Sequence, residues 1–388
     1  MMNHERDLAV SEANLALGSE PDGHAGKAGR VVALRSAATQ SGRLVFLDVL
    51  RLLAAVQMIQ GHSVASVLAP AYRGGRGFAV WTFARGLTSI IFLATAGLSF
   101  VLAEARGPHP AARRRRIRRA LWLLCLGYLM HAPLGALAAG RFHAALATGS
   151  AVDVLQCIGV SLLVLELLTA ACPDIAMRIA VAAGLGVACF ALAPASAQLE
   201  LTPATLLPGN YLTARYGSLF PLVPWAGNVL LAFALGSWAF RTRAHARALG
   251  VAGALGVGLG ALGLWLAPEL PRPISPGYCA LKLGIVFALA ALLARSLRRV
   301  EHLPRGLTQL ASETLFLYVS HVLILYADGV GLAWQLGERH GPALGLALAL
   351  ALLVLCSAAA LALGSLRGRV PGGTRGLSER VAARSRKT

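Results

Sequence analysis

Residues 42–63 read GRLVFLDVLRLLAAVQMIQGHS, and this stretch decides the fold class. From Leu44 onward it is apolar over the ~20 residues that a helix needs to cross about 30 Å of hydrocarbon, yet it carries Asp48, Arg51 and His62. A charge at the centre of a span costs on the order of 2.5–3.5 kcal/mol, so each of these residues asks for a partner or a function. Asp48 and Arg51, three apart, share a helix face and can pair near its start. His62 follows Arg51 by a rotation of about 1,100°, just over three turns, which returns it to that face roughly 16 Å farther along the axis.

The rest of the chain is built in the same way. With 56% hydrophobic and only 14% charged residues, its 388 residues are too apolar for a surface exposed to water. Ten windows have the length and apolarity of a span: 44–69, 79–103, 117–136, 151–171, 175–193, 218–240, 249–267, 277–297, 309–330 and 342–366. The expected fold is therefore an all-α integral membrane protein, a bundle of about ten transmembrane helices. Residues 1–42 are polar, lack the apolar run of a secretory signal and read as a disordered cytoplasmic tail. Residues 43–366 form the membrane domain, and residues 367–388, rich in Gly, Arg and Ser, read as a basic cytoplasmic tail.

The net charge of +19 does not point to nucleic acid, because arginines supply it in clusters between the apolar windows and Lys27, Lys282 and Lys387 are the only lysines. Arg113 to Arg116, Arg118 and Arg119 follow the second window; Arg241, Arg243 and Arg247 follow the sixth; Arg295, Arg298, Arg299 and Arg305 follow the eighth. The opposite loops hold isolated arginines, so the retention of positive loops in the cytoplasm places both termini inside. Such a chain sits in the cell membrane, the inner membrane in a Gram-negative bacterium, with membrane lipids as partners. Assembly with further copies of itself stays open. The six cysteines show no metal-ligand spacing, and no metal is expected.

Other ionisable residues fall within or at the edges of the windows. Arg85 lies in the second, His131 ends the third and Asp153 opens the fourth, so the last two can meet across one loop as a base and its orienting carboxylate, or as the closure of a helical hairpin. Lys282 lies beside Tyr278 and either snorkels or serves a site. His321, beside Ser320, is either an interhelical hydrogen-bonding group or part of a site; Glu313 and Asp328 fall within the same broad helix face, and Glu166 has no evident partner. Such a polar column suits acyl transfer, with a base near neutral pH and cations to hold an oxyanion. It equally suits a proton-coupled carrier of a small polar or lipid-linked solute.

A resemblance separates the two. Residues 42–63 resemble the opening helix of the membrane acyltransferase superfamily, which includes the heparan-α-glucosaminide N-acetyltransferase catalytic-domain family and the acyltransferase-3 family. Asp48 and Arg51 match an Asp, two residues and an Arg shared by both; Arg51 and His62 match the acyltransferase-3 spacing of Arg, ten residues and His. FARGLTSIIFLATAGLSF (83–100), GYLMHAPL (127–134), VDVLQCIGVSLL (152–163), GSLFPLVPWAG (217–227) and ETLFLYVSHVLILY (313–326) are similar to bacterial members of the heparan-type family. The resemblance implies transfer of an acyl group, usually acetyl, from cytoplasmic acyl-CoA to a carbohydrate or lipid-linked acceptor reached from the other side. Carried onto this chain, it implies His62 as general base with His131, Asp153 and Arg85 in the catalytic set. Arg51, Asp48, Lys282 and His321 are then expected to bind the acyl-CoA. Ser63 to Phe78 contains no histidine, unlike the corresponding loop of the lysosomal enzyme, which leaves the base to His62 or His131.

Overall fold

The computed structural model describes residues 44–369, apart from positions 108, 203, 204, 243 and 329. The tail expected at 1–42 lies outside the described residues, as does the one expected at 367–388 except for its first three residues, which continue the last helix. Twelve helices carry the architecture: α1 Val45–Val67, α2 Gly75–Arg85, α3 Leu87–Arg106, α4 Pro110–Met130, α5 Val154–Ala171, α6 Ile175–Ala191, α7 Leu222–Ala239, α8 His245–Leu266, α9 Pro276–Ser296, α10 Arg305–Ser312, α11 Thr314–Tyr326 and α12 Pro342–Arg369. The described residues contain no strand, and their only isolated bridge joins Leu68 to His340.

Each of the ten windows holds a helix, but not each has by itself the length and apolarity of a span. Seven are long and apolar enough to cross a membrane, and eight if α10 and α11, bent by 65° at Glu313, count as one broken span. The two remaining windows hold α6, apolar but of 17 residues, and α4, which opens on six arginines. After those arginines only Ala120 to Met130 is apolar, about 16 Å of helix or half the hydrocarbon thickness. The chain then turns at His131 and Pro133, so the expected extension to residue 136 belongs to a separate short helix, Leu134–Ala138. Proline locks its own φ and turns the preceding residue away from α geometry, which stops the helix at this point.

Bend and turn also correct one reading of the polar residues. Glu313 stands at the break before α11 and Asp328 follows its end, where its carboxylate accepts a hydrogen bond from the backbone N–H of Gly135 at 2.8 Å. The two therefore do not share a helix face with His321.

Helix α1 is the hub, packed against α3, α9, α10, α11 and α12. Its Leu50 and Ala54 bury against Ile90 and Leu98 of α3 and Val286 and Phe287 of α9, while Met58 meets Leu123, Leu155 and Val322 of α4, α5 and α11. Leu255, Leu259 and Trp265 of α8 and Leu350 and Val354 of α12 face outward and are more than half exposed. Apolar residues cover the outside while ionisable ones line the inside, as expected of a protein whose solvent is lipid.

Close backbone approach closes the bundle beside α9. Gly253, Gly256 and Gly260 of α8 face Gly277, Gly284 and Ala288 of α9; a Cβ on Gly284 would lie 2.7 Å from the carbonyl carbon of Gly256. Gly258 faces open space, so the glycine-rich sequence of α8 serves packing at some positions and not at others.

Candidate active site

The polar residues gather at two levels of the bundle. At the first, where α1 begins, the Arg51 guanidinium lies 3.3 Å from the buried Asp48 carboxylate and also donates to the hydroxyl of Ser99 on α3. Glu166 of α5, only 2% exposed, is held by Arg116 and, at 3.6 Å, by Arg113 from the arginine-rich start of α4. Arg116 also stacks over Phe100 and donates to the carbonyl of Gly107, and Arg178 pairs with Glu104 at 2.6 Å. The arginine cluster thus supplies the partner for Glu166 that the sequence left unassigned, through a contact spanning two helices.

The second level lies toward the other end of α1. His62 Nδ1 is 3.1 Å from Nε2 of His321, which is fully buried on α11. The Nδ1 of His321 lies 2.6 Å from the carbonyl oxygen of Leu317, one turn earlier on the same helix. The hydroxyl of Tyr326 donates to the backbone carbonyl of His62 at 3.1 Å, and its ring meets the His62 imidazole edge-on. The ring of Tyr318 meets His321 in the same manner, while its hydroxyl donates to Asp153 at 2.6 Å. That carboxylate lies 3.4 Å from Nε2 of His131. Asp153 is also the N-cap of α5, in a capping box with Gln156, so the helix start fixes the carboxylate.

The expected meeting of His131 and Asp153 is therefore present, and Tyr318 carries it across to the His62 and His321 pair. The sequence alone does not single out Tyr318. Its only signal was its place three residues before His321 in ETLFLYVSH, on the same helix face.

Two cations complete this level. The side chain of Arg85 lies flat on α1 because residue 61 is glycine, where a Cβ would come within 2.6 Å of the Arg85 Cγ. Its guanidinium reaches the Gly61 carbonyl at 3.4 Å and lies over the Trp81 ring. Lys282 of α9 is 8% exposed, with its ammonium over the rings of Tyr278 and Phe83 and against Gly86, the junction of α2 and α3. Among the described residues neither cation has a carboxylate partner.

Beside Tyr326 and Arg85 opens a cavity of about 420 Å³, lined also by Ser66, Phe78, Trp81 and Thr82. Arg73 and Glu338, paired at 2.8 Å, stand at its wall. A cavity lined by three aromatic residues and several hydroxyl or charged groups fits a small polar molecule. No group of three or more His, Cys, Asp and Glu residues among those described is placed to hold a metal ion.

The family model for the catalytic domain of heparan-alpha-glucosaminide N-acetyltransferase matches residues 43–264. The chain belongs to that family. No curated protein matches it. Membership makes it an integral membrane protein of an acetyltransferase family, and the matched segment contains Asp48, Arg51, His62, Arg85, His131 and Asp153. Lys282, Tyr318, His321 and Tyr326 lie beyond it, so within this heparan-alpha-glucosaminide N-acetyltransferase-like chain both parts of the sequence contribute to one polar cluster.

Proposed function

We propose that this protein is a membrane-embedded acyltransferase that moves an acetyl group from cytoplasmic acetyl-CoA to a carbohydrate or lipid-linked acceptor on the outer side. The observation that carries the reading is the His62 imidazole, held between His321 and Tyr326 and flanked by Arg85. The acceptor occupies the cavity beside Tyr326, where Trp81 and Phe78 offer faces to a sugar ring. His62 removes the proton from the acceptor amine or hydroxyl as it attacks the thioester carbonyl. The negative charge that develops on the carbonyl oxygen is met by Arg85 or Lys282, neither of which has to break an ion pair first. Direct attack with both substrates bound requires alignment only, with no covalent acyl-enzyme.

Acetyl-CoA is a substrate whose phosphates need cations. The exposed guanidinium groups of Arg114, Arg115, Arg118 and Arg119 at the start of α4, and Arg51 beside them in level, are of the right charge for that role.

The test is thermal unfolding of the detergent-solubilised protein with and without acetyl-CoA, since a ligand that binds the folded state raises its melting temperature. The increment is expected in wild type and His62→Ala and is expected to vanish in Arg51→Ala. Arg51→Ala also lowers the baseline because it removes one contact of the buried Asp48 carboxylate, so the ligand increment is the quantity compared. Acetyl transfer to a panel beginning with glucosamine is expected in wild type and abolished in His62→Ala. A folded wild type showing neither increment nor transfer overturns the proposal and favours the carrier.

A further inference from the structure

The contacts of His321 determine the protonation of His62. A carbonyl oxygen can only accept, so the Nδ1 of His321, 2.6 Å from the Leu317 oxygen, carries a proton. In a neutral imidazole the other nitrogen is then bare, and this Nε2 faces the Nδ1 of His62 at 3.1 Å. Two bare nitrogens at that distance would repel, so Nδ1 of His62 bears the proton it donates to His321. What remains on His62 is an Nε2 with a free lone pair. The arrangement is held on every side: His321 is fully buried, its carbonyl partner is one turn away on its own helix, and Tyr326 grips the backbone of His62.

We infer that His321 is a positioning residue for His62 and a second station for the proton His62 collects. This rests on the reading of His62 as the base. As the acceptor's N–H or O–H bond breaks and its new bond to the acyl carbon forms, the proton passes to Nε2 of His62. The Nδ1 proton of His62 then crosses to Nε2 of His321, and the positive charge moves with it. That shift takes the charge away from Arg85, which is bonded to the neighbouring Gly61, and toward Tyr318, whose hydroxyl is fixed on the Asp153 carboxylate. When the carbon–sulfur bond breaks, sulfur leaves with the electron pair. His62 gives its Nε2 proton to sulfur, or to water that protonates it, and the Nδ1 proton returns from His321. Both rings end neutral in their starting tautomers, with no net proton kept by the protein.

Two measurements test this. Nitrogen NMR of histidine-labelled protein in detergent reads the tautomers directly, without an acceptor: His62 is expected to carry its proton on Nδ1, and to lose that preference in His321→Ala. A proton found on Nε2 of His62 in the wild type overturns the inference. The second is acetyl transfer. His321→Ala is expected to lower kcat by about 10²-fold, the lower range for general-base assistance, with KM for acetyl-CoA unchanged. His321→Gln, whose amide oxygen can accept from His62 but cannot take its proton, is expected to recover part of the loss, and added imidazole is expected to rescue His321→Ala. A folded His321→Ala with wild-type kcat, beside an inactive His62→Ala, removes the role of His321 and leaves the base in place. If His62→Ala also turns over normally, the base itself falls.

Discussion

At the scale of single residues, Lys282 is the side chain whose presence stability does not explain. Its ammonium is buried over Tyr278 and Phe83 without a carboxylate partner among the described residues. Cation–π contacts return on the order of 0.5–2 kcal/mol, less than the several kcal/mol that an ion loses on leaving water. Lys282→Met keeps the length and apolar stem while deleting the charge. The melting temperature is expected to stay level or rise, and acetyl transfer to fall by about tenfold or more if the ammonium meets the developing oxyanion. A variant that melts lower and transfers normally would make Lys282 a structural residue. His62, Arg85 and Asp153 were legible as candidates because an ionisable residue inside an apolar window stands out against its neighbours. Tyr318 was not, since a tyrosine in a membrane helix carries no charge and only the packing of α11 on α5 brings its hydroxyl to Asp153.

At the scale of elements, two contacts set how the helices pair. The first is the glycine face between α8 and α9, which holds Lys282 at the site. Gly284→Leu drives a side chain into the backbone of α8 and is expected to cost about 1–3 kcal/mol or more. Gly258→Ala, on the same glycine-rich helix but facing open space, is expected to leave stability within about 0.5 kcal/mol. Thermal unfolding of the two variants side by side checks whether the face or the composition matters. The second contact is Glu166 with Arg113 and Arg116, tying α5 to α4. Glu166→Gln leaves Arg116, with its side chain 16% exposed, without its counter-charge, and is expected to destabilise by about 3–5 kcal/mol while leaving acetyl-CoA affinity intact. Loss of coenzyme affinity without loss of stability would instead assign this pair to the donor site. The sequence showed the positions of all ten helical windows, because apolarity over ~20 residues is a local property. It did not show that the apolar part of α4 ends at Met130 or that Glu313 breaks a helix, because both depend on where the chain turns rather than on mean apolarity.

At the scale of the whole molecule, the ion pairs of Asp48 and Glu166 and the cavity occupy opposite ends of the bundle. The pairs Asp48 with Arg51, Glu166 with Arg113 and Arg116, and Glu104 with Arg178 all fall at the end of the bundle where α1, α4 and α6 begin and α3 and α5 finish. The cavity, with Arg73 and Glu338 at its wall, adjoins the opposite end of α1. If arginine-rich loops stay in the cytoplasm, the first end faces the donor and the cavity faces the acceptor, with His62 between them. Both ends of the chain are then cytoplasmic. A fluorescent protein fused after Arg369 is expected to fluoresce, while alkaline phosphatase fused at the same point is expected to be inactive. Phosphatase inserted between Gly337 and Arg339, in the loop before α12, is expected to be active because that enzyme matures only outside the cytoplasm. The reverse pattern would put the cavity on the donor's side. The acceptor would then have to reach His62 past the arginine layer, whose exposed guanidinium groups favour the anionic coenzyme over a sugar. Sidedness therefore decides which substrate the cavity serves, and the two reporter fusions settle it before any acceptor is known.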